Sequence, residues 1–325
     1  MMKKYLKHCV AACAAALACT ASFAQDYPSR QVTVVVGYAA GGAVDAVARL
    51  ISQKLGDALG KPVVVDNKAG ASGNIGAQFV AKAAPDGHTL LMAPVTTYAM
   101  NSLLYPATAG YQLDKDFAGV STVGYLPLVL VVNEALPARS VADLVKAAKA
   151  KPGGMDYGSS GNGSIEHVAG EMFKQQAGVS MVHIPYRGAA PAITDLMAGQ
   201  LSLMFATVPT AVANLKTGKL RPLAVTTPER VGALRDVPTA REAGYPGFEV
   251  ASVYAVLAPA ATPRPVVQRL NQEIAKILQM PDVQARFQTL GIERASATPE
   301  ETTQRLGQEL AKWGKVIKDS GIKVD

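Results

Sequence analysis

Met155-Asp156-Tyr157-Gly158-Ser159-Ser160-Gly161-Asn162-Gly163-Ser164-Ile165-Glu166-His167-Val168-Ala169-Gly170 is the stretch that decides the reading of this chain. A short run with strand character gives way to seven residues that are only Gly, Ser or Asn. Helical spacing then begins near Ser164, with Ile165, Val168, Ala169 and Met172 on one face. Small residues ahead of a helix leave its first N–H groups uncovered, and the helix dipole makes that spot favour an anion. Hydroxyls from Ser159, Ser160 and Ser164 add donors. The stretch reads as a strand–loop–helix junction that holds the carboxylate of a small molecule.

The same arrangement recurs on either side. Gln31 to Val36 reads as a buried strand, and Gly37-Tyr38-Ala39-Ala40-Gly41-Gly42 leads into a helix carried by Val44, Val47, Ala48, Ile51 and Leu55. Asp45 falls in that helix's first turn, where a carboxylate caps backbone N–H groups or meets a ligand, and Arg49 is its i,i+4 partner. Val63 to Val65 is a strand, Lys68 to Gly73 a third small-residue loop containing Ser72, and 74–83 a helix. Thr89 to Ala93 is a strand running out into Pro94-Val95-Thr96-Thr97-Tyr98. Strands and helices in quick alternation predict parallel pairing with helices on both faces.

Phe117 to Val132 is long, apolar and extended, and reads as a crossing into a second domain. Ser140 and Asp143 open a helix there. After the decisive stretch come a strand at 182–184 and a fourth loop, Pro185-Tyr186-Arg187-Gly188-Ala189-Ala190-Pro191, with Pro191 in a helix's first turn. A strand at 201–205 then meets Ala206 and Thr207. Phe248 to Ala258 reads as the crossing back, so that the two crossings form a two-stranded hinge. Helices at 265–279 and 281–290, and a last one capped by Thr298 and carrying Trp313, complete the first domain. The division expected is 25–122 plus 252–325 for one domain and 123–251 for the other. Loops at strand ends of two α/β domains then face a single cleft, where open sheets bind ligands.

Residues 1–24 read as a cleaved signal peptide, with Lys3, Lys4 and Lys7 before an Ala-rich run and a small-x-small site ending at Ala24. The run is short of the about 20 apolar residues that span a bilayer. A lipid anchor on Cys19 is the alternative. All three cysteines lie in this segment, so no disulfide is expected beyond it. The formal charge of +7 is spread without a dense Lys/Arg run, which gives no case for nucleic acid.

Enzyme motifs fail on spacing. Gly158-Ser159-Ser160-Gly161 brings its second Gly one residue too early for a nucleophile elbow. Gly161-Asn162-Gly163 meets Glu166 where a dinucleotide fingerprint needs a small residue. Beyond the leader the histidines are His88, His167 and His183, without metal-ligand spacing. No catalytic residue, metal or cofactor is expected. Two roles stay open for His167, donor to a ligand or structural histidine. The same holds for Arg187, bidentate partner of a carboxylate or surface side chain. Tyr38, Tyr98 and Tyr186 wall the cleft or pack beneath it.

Several motifs run in order through the chain: Gly41-Gly42-x-x-Asp45-x-x-Ala48-Arg49, Gly70-Ala71-x-Gly73-Asn74-Ile75-Gly76, Ala84-Pro85-Asp86-Gly87-x-Thr89-Leu90, Tyr157 to Ser164, Pro185-Tyr186-Arg187-Gly188-x-Ala190-Pro191, and Asp236-Val237-Pro238-Thr239. By these the chain resembles the solute-binding proteins of the tripartite tricarboxylate transporter family, the Bug group abundant in Bordetella and its relatives. The resemblance implies a type II periplasmic binding fold, with two α/β domains closing on a small carboxylate and a two-component membrane permease as partner. It implies that Tyr38, Ala39, Ala40, Gly41 and Gly42, with Tyr186, Arg187, Gly188 and Ala189, hold the carboxylate through backbone N–H groups and water. Ser72, Thr96, Thr97, Tyr98, Ser159, Ser160, Asn162 and His167 are then the side-chain candidates, with Ala206 and Thr207 where the family often carries Asp. Gly37 and Ala40 stand where it commonly carries Pro, which loosens the first loop. A monomeric periplasmic protein is expected. The rival readings are an extracytoplasmic sensor with the same binding chemistry and a secreted serine hydrolase built on Ser159 or Ser160.

Overall fold

The computed structural model describes residues 27–320. The expected leader, its cleavage site and Cys19 lie outside them.

One sheet is built from β2 (Val63–Asn67), β1 (Val32–Val36) and β3 (Thr89–Pro94) in parallel, continued antiparallel by β9 (Ala251–Pro259) and the first part of β4 (Phe117–Asn133). A second sheet takes the last part of β4 with β7 (Leu203–Thr207) and β8 (Leu220–Val225), then β5 (Asp156–Ser159) and β6 (Val182–Pro185). The strand β4 therefore belongs to both. It pairs with β9 up to Pro127 and with β7 and β8 from Leu128 onward. The two long extended runs of the sequence are thus the paired strands β4 and β9, which join two α/β lobes as a type II periplasmic binding fold does.

In the first lobe the helices are α1 (Ala43–Leu59), α2 (Asn74–Ala81) and α3 (Val95–Leu104). The second lobe carries α4 (Val141–Ala150), α5 (Ile165–Ala177), α6 (Ala189–Met197) and α7 (Val208–Leu215). Then α8 (Arg264–Ile277), α9 (Pro281–Leu290), the short β10 (Glu293–Arg294) and α10 (Pro299–Ser320) return to the first lobe. One face of its sheet packs Val34, Val36, Leu90 and Met92 on α1 and α8 through Val47, Ile51, Leu270 and Ile274. In the second lobe Val129, Val131, Met204 and Ala206 meet Ile193 and Leu196 of α6. These are the strand residues whose side chains alternate onto one face.

The sequence reads Pro94 to Tyr98 as the run-out of a strand, whereas α3 begins immediately after Pro94. No Ser, Asp or Gly marks that start, and Pro94 serves as its N-cap without a side-chain bond. Consequently Thr96 and Tyr98 face inward. Thr96 Oγ1 donates to Glu309 at 2.7 Å and accepts from the Val253 N–H at 3.0 Å. Glu309 also accepts from Trp313 Nε1 at 2.9 Å, so this buried trio fastens α10 to α3 and the hinge strand β9. Tyr98 is fully buried, edge-on to Tyr111.

Candidate functional site

The first helix start is prepared by Gly41 and Gly42. Gly42 is the N-cap of α1 and has no side-chain cap of its own. Asp45, one turn in, reaches back instead: its Oδ2 accepts from the Gly41 N–H at 3.0 Å and from Arg49 Nε at 2.9 Å. Its Oδ1 accepts from Asn67 Nδ2 at 3.0 Å, and the same amide donates to the Tyr38 carbonyl. These bonds hold the Asp45 carboxyl below its ordinary range despite the opposing effect of burial. Asp45 is therefore a strut for the first loop, and the N–H groups of Ala43 and Val44 are left without a backbone acceptor among the described residues. Gly37 is more than a loosened proline. A Cβ there would stand 2.5 Å from the Gly73 carbonyl oxygen, so glycine lets the first and third loops pack together.

At the second helix start, Gly188 caps α6 with φ +118°, a conformation glycine adopts readily. Its N–H donates to the Ser160 carbonyl at 3.1 Å, which ties the fourth loop to the decisive stretch. Ala189 and Ala190 follow. Neither N–H has a backbone acceptor among the described residues, and Pro191 has no N–H to offer.

The decisive stretch itself spends most of its donors internally. Ser164 caps α5 by accepting from the His167 N–H, and the Gly163 N–H donates to His167 Nδ1 at 3.1 Å. Ser159 is buried, with its hydroxyl 2.7 Å from His183 Nε2 and bonded to Gly161. The His167 and His183 rings stack at 3.8 Å and 8° behind the wall. Burial lowers the pKa of both, that of His183 to about 3, so each ring stays neutral. This loop thus contributes Ser160, whose Oγ donates to Glu166 at 2.6 Å.

The two helix starts line one cavity, partly open to solvent. Tyr38, Ala39, Ala40 and Gly42 come to it from the first lobe; Ser160, Arg187, Gly188, Ala189 and Thr207 come from the second. Thr97 lines it from the first turn of α3. A neighbouring space shares Tyr38, Ser160, Arg187 and Gly188 and adds Ser72 and Tyr186. At its mouth Ser72 Oγ donates to the Asn162 carbonyl at 2.8 Å, a direct bond between the lobes. Gly41 lies in the first loop with its N–H held by Asp45. Thr96, Tyr98, Ser159, His167 and Ala206 are not on the cavity wall; they are buried behind it. Of the two serines offered for a hydrolase, Ser159 is therefore not presented to the cleft, and Ser160, which is, bonds Glu166 and not a histidine.

Several wall residues lie outside the sequence-derived set: Glu166, Thr210, Ser252 and Tyr254. Ser252 and Tyr254 alternate onto one face of β9, in a run legible only as a crossing. Ser252 Oγ is buried and has no hydrogen-bond partner among the described residues. Glu166 in a first helical turn looks like an ordinary dipole-compensating acid, and nothing in its neighbours signals that it faces inward. Arg187 is the one cation on the wall and forms no ion pair among the described residues.

Two hinged α/β lobes with one cleft lined by helix starts define a solute-binding protein of the periplasmic type. The profile described as "Tripartite tricarboxylate transporter family receptor" matches residues 47–322, and the chain belongs to that family. A Pseudomonas sp. (strain P51) protein from the tcbD-tcbE intergenic region is 41% identical over 292 residues, covering 90% of this chain and 86% of that one. The Rhodopseudomonas palustris protein Rpa4515, solved with adipate, superposes with a TM-score of 0.88 at 39% identity, covering 92% of this chain and 99% of that one. MatC from the same organism, solved with malate, gives 0.83 at 33%, covering 90% and 100%. Among the described residues no helix is long and apolar enough to cross a membrane.

Proposed function

We propose that this protein captures a small carboxylate, a dicarboxylic or aromatic acid, by closing its lobes on it, and delivers it to the membrane permease subunits of a tripartite tricarboxylate transporter. The observation that carries the reading is the meeting of two helix starts with unpaired N–H groups, α1 at Ala43–Val44 and α6 at Ala189–Ala190, on one cavity beside Arg187. Main-chain amides at helix starts suit a carboxylate because they point at it, carry the dipole's positive end and need no reorganisation. Each charge-assisted hydrogen bond contributes roughly 1.5–3 kcal/mol, and micromolar affinity needs about 8 kcal/mol. Four such donors with Arg187 are enough. Ser252 Oγ, buried and unpaired on the same wall, is a further donor for the ligand or an ordered water.

Residues 25–122 with 252–325 form the first domain in this reading, and 123–251 the second. The ligand touches both and so favours the closed form, which the permease recognises. The protein works as a monomer in the periplasm, exported by its cleaved leader, with no metal or cofactor. That structurally similar proteins were solved with adipate and malate supports a diacid. Thermal-shift and calorimetric titration with succinate, malate, adipate, suberate, benzoate and phthalate tests the reading. One or more should raise the melting temperature and bind with a stoichiometry of one. A folded protein stabilised by none of them contradicts it.

A further inference from the structure

Glu166 is an acid in a cavity read as a seat for acids. It is 4% exposed, lies on the wall beside Ser160, Ile165 and Arg187, and accepts from Ser160 Oγ at 2.6 Å. We propose that Glu166 makes capture proton-linked: in the loaded site it is a neutral carboxyl whose O–H donates to an oxygen of a dicarboxylate ligand. This rests on the reading of the cleft as a carboxylate site and names the form in which its own acid must be present.

The surroundings favour the neutral acid. From the first lobe, Tyr38 and Tyr254 face Glu166, and burial raises both phenols, so they are uncharged hydroxyls. Thr97, from α3, is uncharged. On its own helix, Ser164 is a cap and His167 turns its neutral ring toward His183. Glu171, one turn on, is held by Lys174 and Tyr157. On α10, which also packs against α5, Glu309 is held by Thr96 and Trp313. Arg187 shares the wall but makes no salt bridge to Glu166. Among the described residues no cation is therefore paired with Glu166, and desolvation pushes its carboxyl upward against the bonds from Ser160 and Ser164. A ligand dianion arriving alongside would raise it further. Ionised, Glu166 would repel the ligand; protonated, it supplies a hydrogen bond.

The test is calorimetry between pH 6.5 and 8.5, where aliphatic diacids are fully ionised. The probe is adipate or, where another acid of the panel binds more tightly, that acid. Titration in buffers of different ionisation heat counts protons taken up. Wild type should take up a fraction approaching one proton, and its Kd should weaken with rising pH by up to tenfold per unit. Glu166→Gln, which keeps a donor and cannot ionise, should show no uptake and a flat Kd no weaker than the wild type's at pH 6.5. Should that variant not fold, Ser160→Ala serves instead: losing a donor to the carboxylate form moves the wild-type profile to higher pH. The inference is overturned by a flat wild-type Kd with no proton uptake. It is equally overturned by a tenfold or greater loss in Glu166→Gln at every pH, which would mean that the ionised acid pairs with a cationic group of the ligand. If, in addition, Arg187→Gln and Ala189→Pro weaken binding, the cleft reading stands and the inference alone fails. If those two variants bind like wild type, the cleft reading fails and takes the inference with it.

Discussion

Replacing Ala189 with proline removes one main-chain donor from the site and almost nothing else. Ala189 is the first residue of α6, where the N–H has no helical acceptor and proline's fixed φ matches the helix. The preceding Gly188 has ψ 165°, an extended conformation that a following proline permits. Folding stability should therefore stay within about 0.5 kcal/mol of wild type, the range of neutral surface changes. Binding should not. The Ala189 N–H lies on the cavity wall without a backbone acceptor, and a hydrogen bond from it to a carboxylate contributes roughly 1.5–3 kcal/mol. At about 1.4 kcal/mol per decade, the loss is roughly 10-fold to 150-fold in Kd. Calorimetric titration with the tightest-binding acid measures it, and urea unfolding of the free protein checks the fold. Ala189→Gly, which keeps the N–H, should bind within about threefold of wild type, equivalent to less than about 0.7 kcal/mol. A stable proline variant whose Kd is unchanged would refute the idea that α6 holds the ligand by its backbone.

Three further outcomes follow from the same geometry. Arg187→Gln removes the wall's single cation; affinity should fall by about tenfold or more at low salt, and the dependence of Kd on ionic strength should flatten. Ser72→Ala deletes the bond to the Asn162 carbonyl, worth about 1 kcal/mol across the lobes, so ligand dissociation in stopped flow should quicken by about fivefold. Finally, the stacked histidine pair makes the fold acid-sensitive. The folded pKa of His183, about 3, lies below the unfolded value of about 6.5, so its contribution is intact above pH 6.5 and lost as pH falls toward 3. Part of that contribution is gone at pH 5, read as a lower urea midpoint than at pH 7.5, and His183→Gln should reduce the difference. Equal midpoints at both pH values in wild type would contradict the assignment.

Most of the fold was legible because its strands are Val-rich, its loops are made of small residues and its helices start on recognisable caps. Ser164, Ser140 and Thr298 do what their positions suggest: each hydroxyl accepts from the N–H three residues on. The start of α3 was not legible, because Pro94 and a β-branched first turn carry no cap signal. That concealed Thr96 as the fastening for α10. Within the site, the loops were found and the side chains only partly. Ser159 and Ser160 are indistinguishable in sequence, yet strand alternation sends Ser159 to His183 and Ser160 to the cavity. The decisive stretch looked like a nest of free amides, but Ser159, Ser164 and His167 take the N–H groups of Gly161, His167 and Gly163, and the starts of α1 and α6 present donors to the cavity as well. Glu166 and Ser252 escaped because facing a cavity is a tertiary property that neither periodicity nor motif records.

The central claim is met most directly by the crystal structure of this protein with the acid that stabilises it most. One ligand carboxylate should lie within about 3.2 Å of main-chain nitrogens from both helix starts, Ala43–Val44 and Ala189–Ala190, with Arg187 alongside. A carboxylate bound solely by side chains, or a ligand seated outside the space between the two lobes, would contradict the account.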